Sequence, residues 1–505
     1  MLCSHRALGA LPAFLVLAAP LAAQAPAAGA AAAAAMITAD DYRRHIGIIA
    51  HDSMLGRDTP SRGLDLTAQY VADQFKAFGL KPGGDNGSYL QRYRITRTQL
   101  DVAASHLGFM GQGGHHHVQF ATDAVWLGGP APQTHQAEAA FVVGGALDPA
   151  RVPAGSARGK VALVVVDYQK PRPATFQRLV ARMLEEAAAV VVVSNRDSAQ
   201  FATRVANQAR PRLRIGRVER AGGPLVEAHD RAVAGLLAGF GVDVAAIRAD
   251  TATVARDVPE LKVAVDLKET VLSEEFAPNT VGILEGTDPV LKNEYVIYSA
   301  HMDHIGISRG ASPDSINNGA DDDASGTTGV IELARAMSQA PTRRSAIFLT
   351  VSGEEKGLWG SDYFVAHPPV PIGDIVADLN MDMIGRNWKD TIVVIGKEHS
   401  DLGATLARVS ARHPELDMAV IDDRWPDENF YARSDHYNFA RKGVPILFFF
   451  NGVHPDYHRP SDEVPKIDAE KASRILKLVF WLGQEVGNAT QRPKWNPESY
   501  RKIVE

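Results

Sequence analysis

The most constraining feature of this sequence is a series of five polar motifs in its second half. Each motif follows a short apolar run or opens a helix. Acidic and histidine residues placed after successive buried strands meet at one edge of a sheet, which is where open α/β sheets carry their sites. In chain order the motifs are His301-Met-Asp303, Gly319-Ala-Asp-Asp-Asp-Ala-Ser-Gly326, Gly353-Glu354-Glu355, Asn380-Met-Asp382-Met-Ile-Gly385 and Tyr457-His458-Arg-Pro-Ser-Asp462.

Apolar runs of strand length alternate with helical periodicity through the same half of the chain. Residues 327–337, for example, repeat apolar side chains at helical spacing between two such runs. Alternation of this kind predicts an α/β fold, a three-layer sandwich with a mixed, largely parallel sheet and helices on both faces. The predicted buried strands are residues 295–300, 346–352, 375–381, 391–395 and 444–450.

The residue types in the motifs indicate a metal site. Carboxylates and imidazoles that converge in a poorly solvated cleft would be strongly destabilised unless a cation neutralised them. Nitrogen and oxygen ligands without a thiolate fit zinc best, and cobalt or manganese would fit the same geometry. We therefore predict a site for divalent metal ions at this sheet edge.

The motifs HMD, GADDDASG, GEE, NMDMIG and YHRPSD, in this order, resemble those of the M28 family of zinc peptidases, which includes bacterial aminopeptidases. The resemblance covers residues 301–468 strongly and residues 41–93 more loosely. It implies two zinc ions per chain. It also implies the ligands: one ion bound by His301 and Asp382, the other by Glu355 and His458, and both bridged by Asp322.

The same resemblance assigns roles to three further residues. It implies that Glu354 is the general base and that Asp303 orients His301 from behind the metal. Tyr457 stands where some members use a tyrosine to steady the oxyanion, and simple packing beside the ligand loop is the alternative interpretation. Two ions that share a carboxylate activate a bridging water and polarise the scissile carbonyl. Glu354 would then pass the water's proton to the leaving amine.

The N-terminus has the pattern of an export signal. His5 and Arg6 precede an apolar run at residues 7–21, and small residues follow it. We predict a signal peptide at residues 1–25, an Ala-rich linker at 26–37 and an exported protein, periplasmic or secreted. A signal anchor is the alternative. Cys3 is the only cysteine, so no intrachain disulfide can form.

Residues 123–263 differ in character from the rest of the chain. They contain short β-branched runs between Gly and Pro residues and no catalytic-type cluster. The segment from Arg158 resembles the protease-associated domain that is inserted in several peptidases. We therefore predict an inserted β-rich domain at 123–263, between an N-terminal part of the peptidase domain at 38–122 and its main part, with the metal site, at 264–505.

The overall charge disfavours polyanionic partners. The formal net charge is -6, and the Lys and Arg residues are dispersed along the chain. No basic patch of the kind that nucleic acids or anionic membranes need is present in the sequence. We expect a peptide substrate, no nucleic-acid partner, and no membrane association once the signal has been removed.

These observations lead to one functional prediction and three alternatives. We predict a zinc-dependent exopeptidase, and specifically an aminopeptidase that hydrolyses N-terminal residues from peptides. The alternatives are a carboxypeptidase of the same family, a glutaminyl-cyclase-like acyl transferase with one zinc, and a non-catalytic binding protein. The presence of every predicted ligand and of the base disfavours the last of these.

Overall fold

The computed structural model describes residues 28–111, 114–129, 137–171, 176–215, 223–308 and 314–505. The predicted signal peptide, residues 1–25, lies outside this range. Within it, none of the helices has the length and apolar character that a membrane span requires.

Ten strands form the larger of two sheets. Its centre consists of four neighbouring strands that run parallel, and helix Ala324–Gln339 makes one of the crossovers that parallel strands need. Across the sheet the strands lie in the order Ala419–Ile421, Thr391–Ile395, Ile446–Phe449, Ile375–Met381, Tyr295–His301, Ser345–Val351, Glu269–Leu284, Leu90–Leu100 and Arg212–Ile215, with Lys81–Pro82 paired to Glu269–Leu284.

The predicted mixed sheet is confirmed, but its description as largely parallel holds only for the centre. Strand Glu269–Leu284 pairs antiparallel with both of its long neighbours, and Arg212–Ile215 continues in the same way at the edge. Strand Thr391–Ile395 is antiparallel to Ile446–Phe449. Sequence periodicity does not encode strand direction, so these reversals were not predictable from it.

Both faces of the central sheet are buried under helices. Along strand Ser345–Val351, Ala346 and Phe348 pack with the helices of one face, whereas Ile347 and Leu349 pack with those of the other. This is the predicted three-layer arrangement. The α-helices are Ala28–Ala35, Ala39–Ile49, Arg62–Ala77, Phe176–Glu186, Ser198–Gln208, Asp230–Ala238, Val244–Ala249, Ala324–Gln339, Trp359–Ala366, Leu402–Arg412, His436–Ala440, Ala469–Asn488 and Pro497–Ile503.

Residues 28–35, within the segment predicted as an Ala-rich linker, form a packed helix. Helix Ala28–Ala35 contacts helices Ala324–Gln339 and Ala469–Asn488. Ala30, Ala33 and Ala34 are buried in the core between them. Alanine has the highest helix propensity and a small side chain, so this composition suits a helix that lies close against its neighbours.

A second sheet of eight strands is built between residues 106 and 266. Its first two strands lie before residue 123, where the inserted domain was predicted to begin, so the sheet starts earlier than that boundary. The boundary itself stays a prediction. In spatial order the strands are Gly114–Gln119, His106–Gly111, Thr253–Asp266, Glu138–Gly145, Val161–Val166, Ala189–Ser194, Leu225–His229 and Ala124–Gly128.

Substitution of Ala33 by leucine tests the packing of the N-terminal helix. Ala33 is 1% exposed, and three extra carbon atoms at a filled position should lower the free energy of unfolding by about 1–3 kcal/mol. Ala32→Leu, at an exposed position of the same helix, is the matched control and should change it by less than about 0.5 kcal/mol. Chemical denaturation measures both, and equal effects would contradict the packed helix.

Candidate metal centre

The five predicted metal ligands come together at one end of the central parallel strands. Their side chains are drawn from four loops and one strand end that are far apart in sequence. The residues are His301, at the end of strand Tyr295–His301; Asp322, before helix Ala324–Gln339; Glu355, after strand Ser345–Val351; Asp382, after strand Ile375–Met381; and His458, in the loop after strand Ile446–Phe449.

Asp322 stands between two groups of ligand atoms. Its Oδ1 is 3.3 Å from His301 Nε2, which is in turn 3.7 Å from Asp382 Oδ1. Its Oδ2 is 3.1 Å from His458 Nε2, which is also 3.1 Å from Glu355 Oε2. One carboxylate therefore presents a different oxygen to each group, as a bridging ligand does.

The separations within the two groups fit bound zinc. Zinc bonds of about 2.0–2.2 Å in a tetrahedron place neighbouring ligand atoms about 3.3–3.6 Å apart. The four distances around Asp322 range from 3.1 to 3.7 Å. The residues present thus match both the donor types and the spacing that zinc requires.

The electrostatics of the cluster also call for positive charge. Burial opposes protonation of His458, but its hydrogen bonds to Asp322 and Glu355 raise its pKa to about 10. Burial likewise opposes protonation of His301, whose pKa is nevertheless raised well above its usual value by Asp382, Asp303 and Asp322. The carboxylates thus favour a positive charge on or beside the imidazoles, and a bound metal ion would supply that charge.

Glu354 and Asp303 both lie close to His301. The Glu354 side chain lines a cleft together with His301, Asp322 and Asp382. Burial, with Asp435 and Asp382 nearby, raises the pKa of Glu354 well above its usual value. Asp303 Oδ1 is 3.7 Å from His301 Nδ1 and accepts a hydrogen bond from the Glu354 backbone N–H.

The same cleft has an apolar wall and a tyrosine at its rim. Tyr457 stacks on the ring of His458, with 3.9 Å between the centroids, and burial raises the pKa of its hydroxyl. Ser434 lies at the cleft and donates to Asp382 Oδ2 at 2.9 Å. The apolar lining consists of Met383, Phe430, Phe448, Phe450 and Val453.

Three residues of the centre were not identified from the sequence. His304 lies in contact with Glu355, and its position directly after the HMD motif was the available signal. Asp323 caps helix Ala324–Gln339 and also accepts from the backbone N–H groups of His301 and Met383. Arg57 comes from a segment about 250 residues away, and no motif marks it.

Arg57 is a fully buried cation that holds the loops of the centre together. Its guanidinium donates to the carbonyl oxygens of Met302, Asn318 and Gly319 and also of Ile49, at 2.5–3.1 Å. Burial lowers its pKa, whereas Asp322 and the neighbouring aspartates raise it. The five N–H donors of a guanidinium can serve these four carbonyls together, whereas a lysine ammonium has only three donors.

Comparison with known proteins identifies the class of this domain. Residues 279–482, which include all five predicted ligands, match the model of Peptidase family M28. The matched segment therefore contains the whole predicted metal centre. Residues 279–482 are similar to peptidase family M28, as the resemblance of the motifs predicted.

Curated relatives agree with this assignment. The chain is 25% identical over 239 residues to Aminopeptidase YwaD of Bacillus subtilis (strain 168), covering 45% of this chain and 49% of that protein. It is 29% identical over 233 residues to the probable leucine aminopeptidase of Trichophyton verrucosum (strain HKI 0517), covering 44% and 61%. The matches thus span about half to three-fifths of these relatives.

Solved structures of similar proteins include an aminopeptidase from Aneurinibacillus sp. strain AM-1. It is 18% identical with a TM-score of 0.48, and the match covers 92% of this chain and 97% of the other. A match to the zinc aminopeptidase BSAP from Bacillus subtilis is 17% identical with a TM-score of 0.47, covering 90% and 97%.

Arg57→Lys tests whether this arginine organises the centre. An ammonium group cannot replace all the guanidinium donors, so buried carbonyls lose their donors, and the free energy of unfolding should fall by about 2–4 kcal/mol. Arg43→Lys, at an exposed position paired with Asp40, is the control and should change it by less than about 0.5 kcal/mol. If denaturant titration finds the two variants equally stable, Arg57 does not have this role.

Proposed function

We propose that this protein is a zinc aminopeptidase that uses two metal ions. The observation that carries the proposal is the position of Asp322, with one oxygen towards each group of ligand atoms and beside Glu354 at the cleft. The match to family M28 and the aminopeptidase relatives support it. When bound, the two ions would activate water and polarise the carbonyl of the scissile bond.

The predicted ligands divide between two subsites. His301 and Asp382 would hold an ion at the cleft, Glu355 and His458 would hold a second one, and Asp322 would be shared by both. Ser434 fixes Asp382 through its hydrogen bond. Asp303 steadies His301, as carboxylates behind metal-binding histidines commonly do.

Glu354 acts as the general base in this proposal. It takes a proton from the attacking water and delivers it to the leaving amine. Its burial and the acids around it raise its affinity for that proton. Tyr457, which lines the same cleft, would donate a hydrogen bond to the oxygen of the scissile carbonyl as negative charge develops there.

The cleft suits a peptide with an apolar N-terminal residue. Its apolar wall, which includes Phe430, Phe448 and Phe450, offers contact to a large aliphatic or aromatic side chain. Its acidic side, with Glu354 and Asp382, would attract the free α-ammonium group. The acidic side would thus locate the first residue of the substrate, and the apolar wall would favour an apolar side chain on that residue.

The export signal and the inserted domain are also part of the proposal. The composition of residues 1–25 supports export. Support for an insertion comes from the strands that flank the smaller sheet, because Leu100 and Glu269 are paired neighbours in the larger sheet. Apart from strand Arg212–Ile215, which pairs with Leu90–Leu100 at the edge of the larger sheet, the chain thus leaves that sheet and returns to it at adjacent points. The inserted sheet would regulate access or partner choice, since it supplies no predicted ligand.

Single substitutions of two adjacent glutamates distinguish the proposed general base from the proposed metal ligand. Glu354→Gln should retain both metal ions and lose turnover by about two to four orders of magnitude, the range typical of a general base. Glu355→Gln should lose metal and activity together, because an amide oxygen is a weak zinc ligand. Elemental analysis and kinetics on an aminoacyl chromogenic substrate measure both effects. A metal-replete, fully active Glu354→Gln protein would eliminate this base.

Blocking the substrate amine tests the direction of cleavage. N-acetylation removes the charge that the acidic side of the cleft would bind, so kcat/KM for a leucine-initiated peptide should fall by at least about 100-fold, or ~3 kcal/mol. Mass spectrometry of the products distinguishes the two ends. Release of C-terminal residues from the acetylated peptide would instead indicate a carboxypeptidase.

A further inference from the structure

His304 is a fully buried histidine that the predicted ligand set leaves out. Its Nδ1 is 2.8 Å from Glu355 Oε1 and 3.6 Å from Asp322 Oδ2. Its ring lies edge-on to that of His458, with 5.5 Å between the centroids. Together with Asp322, Glu355 and His458 it offers four ligand atoms, all within 4.8 Å of one another.

The surroundings fix the His304 ring in this position. Its backbone N–H donates to the carbonyl oxygen of Arg57, which is itself pinned to the loops of the centre. Gly319 packs against the other side, where a Cβ atom would lie 2.5 Å from His304 Cδ2. The ring therefore has little freedom to turn away from the ligand group.

The distance from His304 Nδ1 to the bridging carboxylate is that of a fourth ligand. Zinc bonds of about 2.0–2.2 Å in a tetrahedron separate ligand atoms by about 3.3–3.6 Å, and His304 Nδ1 is 3.6 Å from Asp322 Oδ2. Its 2.8 Å separation from Glu355 Oε1 is that of a hydrogen bond, so the same nitrogen lies close to two ligands of this group.

The cleft gives an independent distinction between the two groups. Among the described residues, those lining it include His301, Asp322 and Asp382, but not Glu355 or His304. Catalytic zinc sites keep one position open for substrate, whereas structural sites are closed by four protein ligands. The group with three ligands is thus the one that faces substrate.

We propose that His304 Nδ1 is a fourth protein ligand of the metal ion held by Asp322, Glu355 and His458. This proposal rests on the proposed function and adds that the two ions would be bound with different affinities. The ion with four protein ligands binds more tightly and organises Asp322. His301 and Asp382 would hold the other ion more weakly, at the cleft where substrate would bind.

X-ray absorption at substoichiometric zinc tests this directly. With one equivalent of Zn²⁺ added to the metal-free protein, the tighter site should show two imidazole ligands. If His304 were only a hydrogen-bond donor, either site would contain a single histidine, His301 or His458. One imidazole per zinc would therefore overturn the proposal.

Two variants separate ligation from hydrogen bonding. His304→Asn keeps a hydrogen-bond donor to Glu355 but supplies a poor metal ligand, so its tighter site should show one imidazole. Its affinity for the first zinc ion should fall by more than about 10–100-fold, which is the cost of losing a contact to a ligand rather than a ligand itself. Unchanged zinc affinity in this variant would contradict the proposal. His304→Cys supplies a thiolate, and with Co²⁺ it should give a sulfur-to-cobalt charge-transfer band.

The controls make the outcomes distinct. His51→Cys, at an exposed position, should give no such band, and circular dichroism confirms that each variant is folded. Suppose that the wild-type protein binds two zinc ions and cleaves peptides, but shows one imidazole at the tighter site. That result would refute the proposal for His304 and leave the proposed function standing. A wild-type protein that binds no zinc would refute the proposed function as well.

Discussion

The rest of the centre depends on the contacts that three consecutive aspartates make, residues 321–323. Each carboxylate has a separate task. Asp321 accepts from the Gly385 backbone N–H and faces His454. Asp322 lies between the two ligand groups. Asp323 caps a helix and ties it to two other motifs. Three buried negative charges in a row are stable only if every one is compensated.

Compensation comes from three sources. Backbone N–H groups and the helix N-terminus serve Asp321 and Asp323, although burial and Asp382 still hold the pKa of Asp323 well above its usual range. Arg57 contributes a permanent buried positive charge beside the run. Asp322 is the exception, since its partners are histidines that favour protonation. The positive charge that Asp322 attracts is thus concentrated where the proposed ions would bind, and this links the stability of the centre to its chemistry.

The central part of the fold and of the site could be predicted because it follows from local rules. Parallel strands such as Tyr295–His301 and Ser345–Val351 are apolar throughout, and their polar residues come at their ends. That pattern identified the sheet edge, and motif order indicated the family. The predicted ligands then had to be close, since neighbouring parallel strands end at the same edge.

The remainder depended on contacts that local sequence does not encode. Arg57 donates to carbonyl oxygens across a sequence separation of about 250 residues. Every residue has a backbone carbonyl, so the sequence does not show which of them will accept. His304 was overlooked because one loop residue beside a motif has no periodicity to reveal its direction. Helix Ala28–Ala35 was interpreted as a linker because alanine is common in both, and only tertiary packing against helix Ala469–Asn488 decides between them.

The central proposal is that Asp322 would bridge two metal ions, and anomalous diffraction from crystals of the zinc-loaded protein tests it most directly. Data collected at the zinc absorption edge should contain two peaks per chain, one near each oxygen of Asp322, with His301 beside one and His458 beside the other. A single peak, or two peaks with Asp322 bound to neither, would contradict the account.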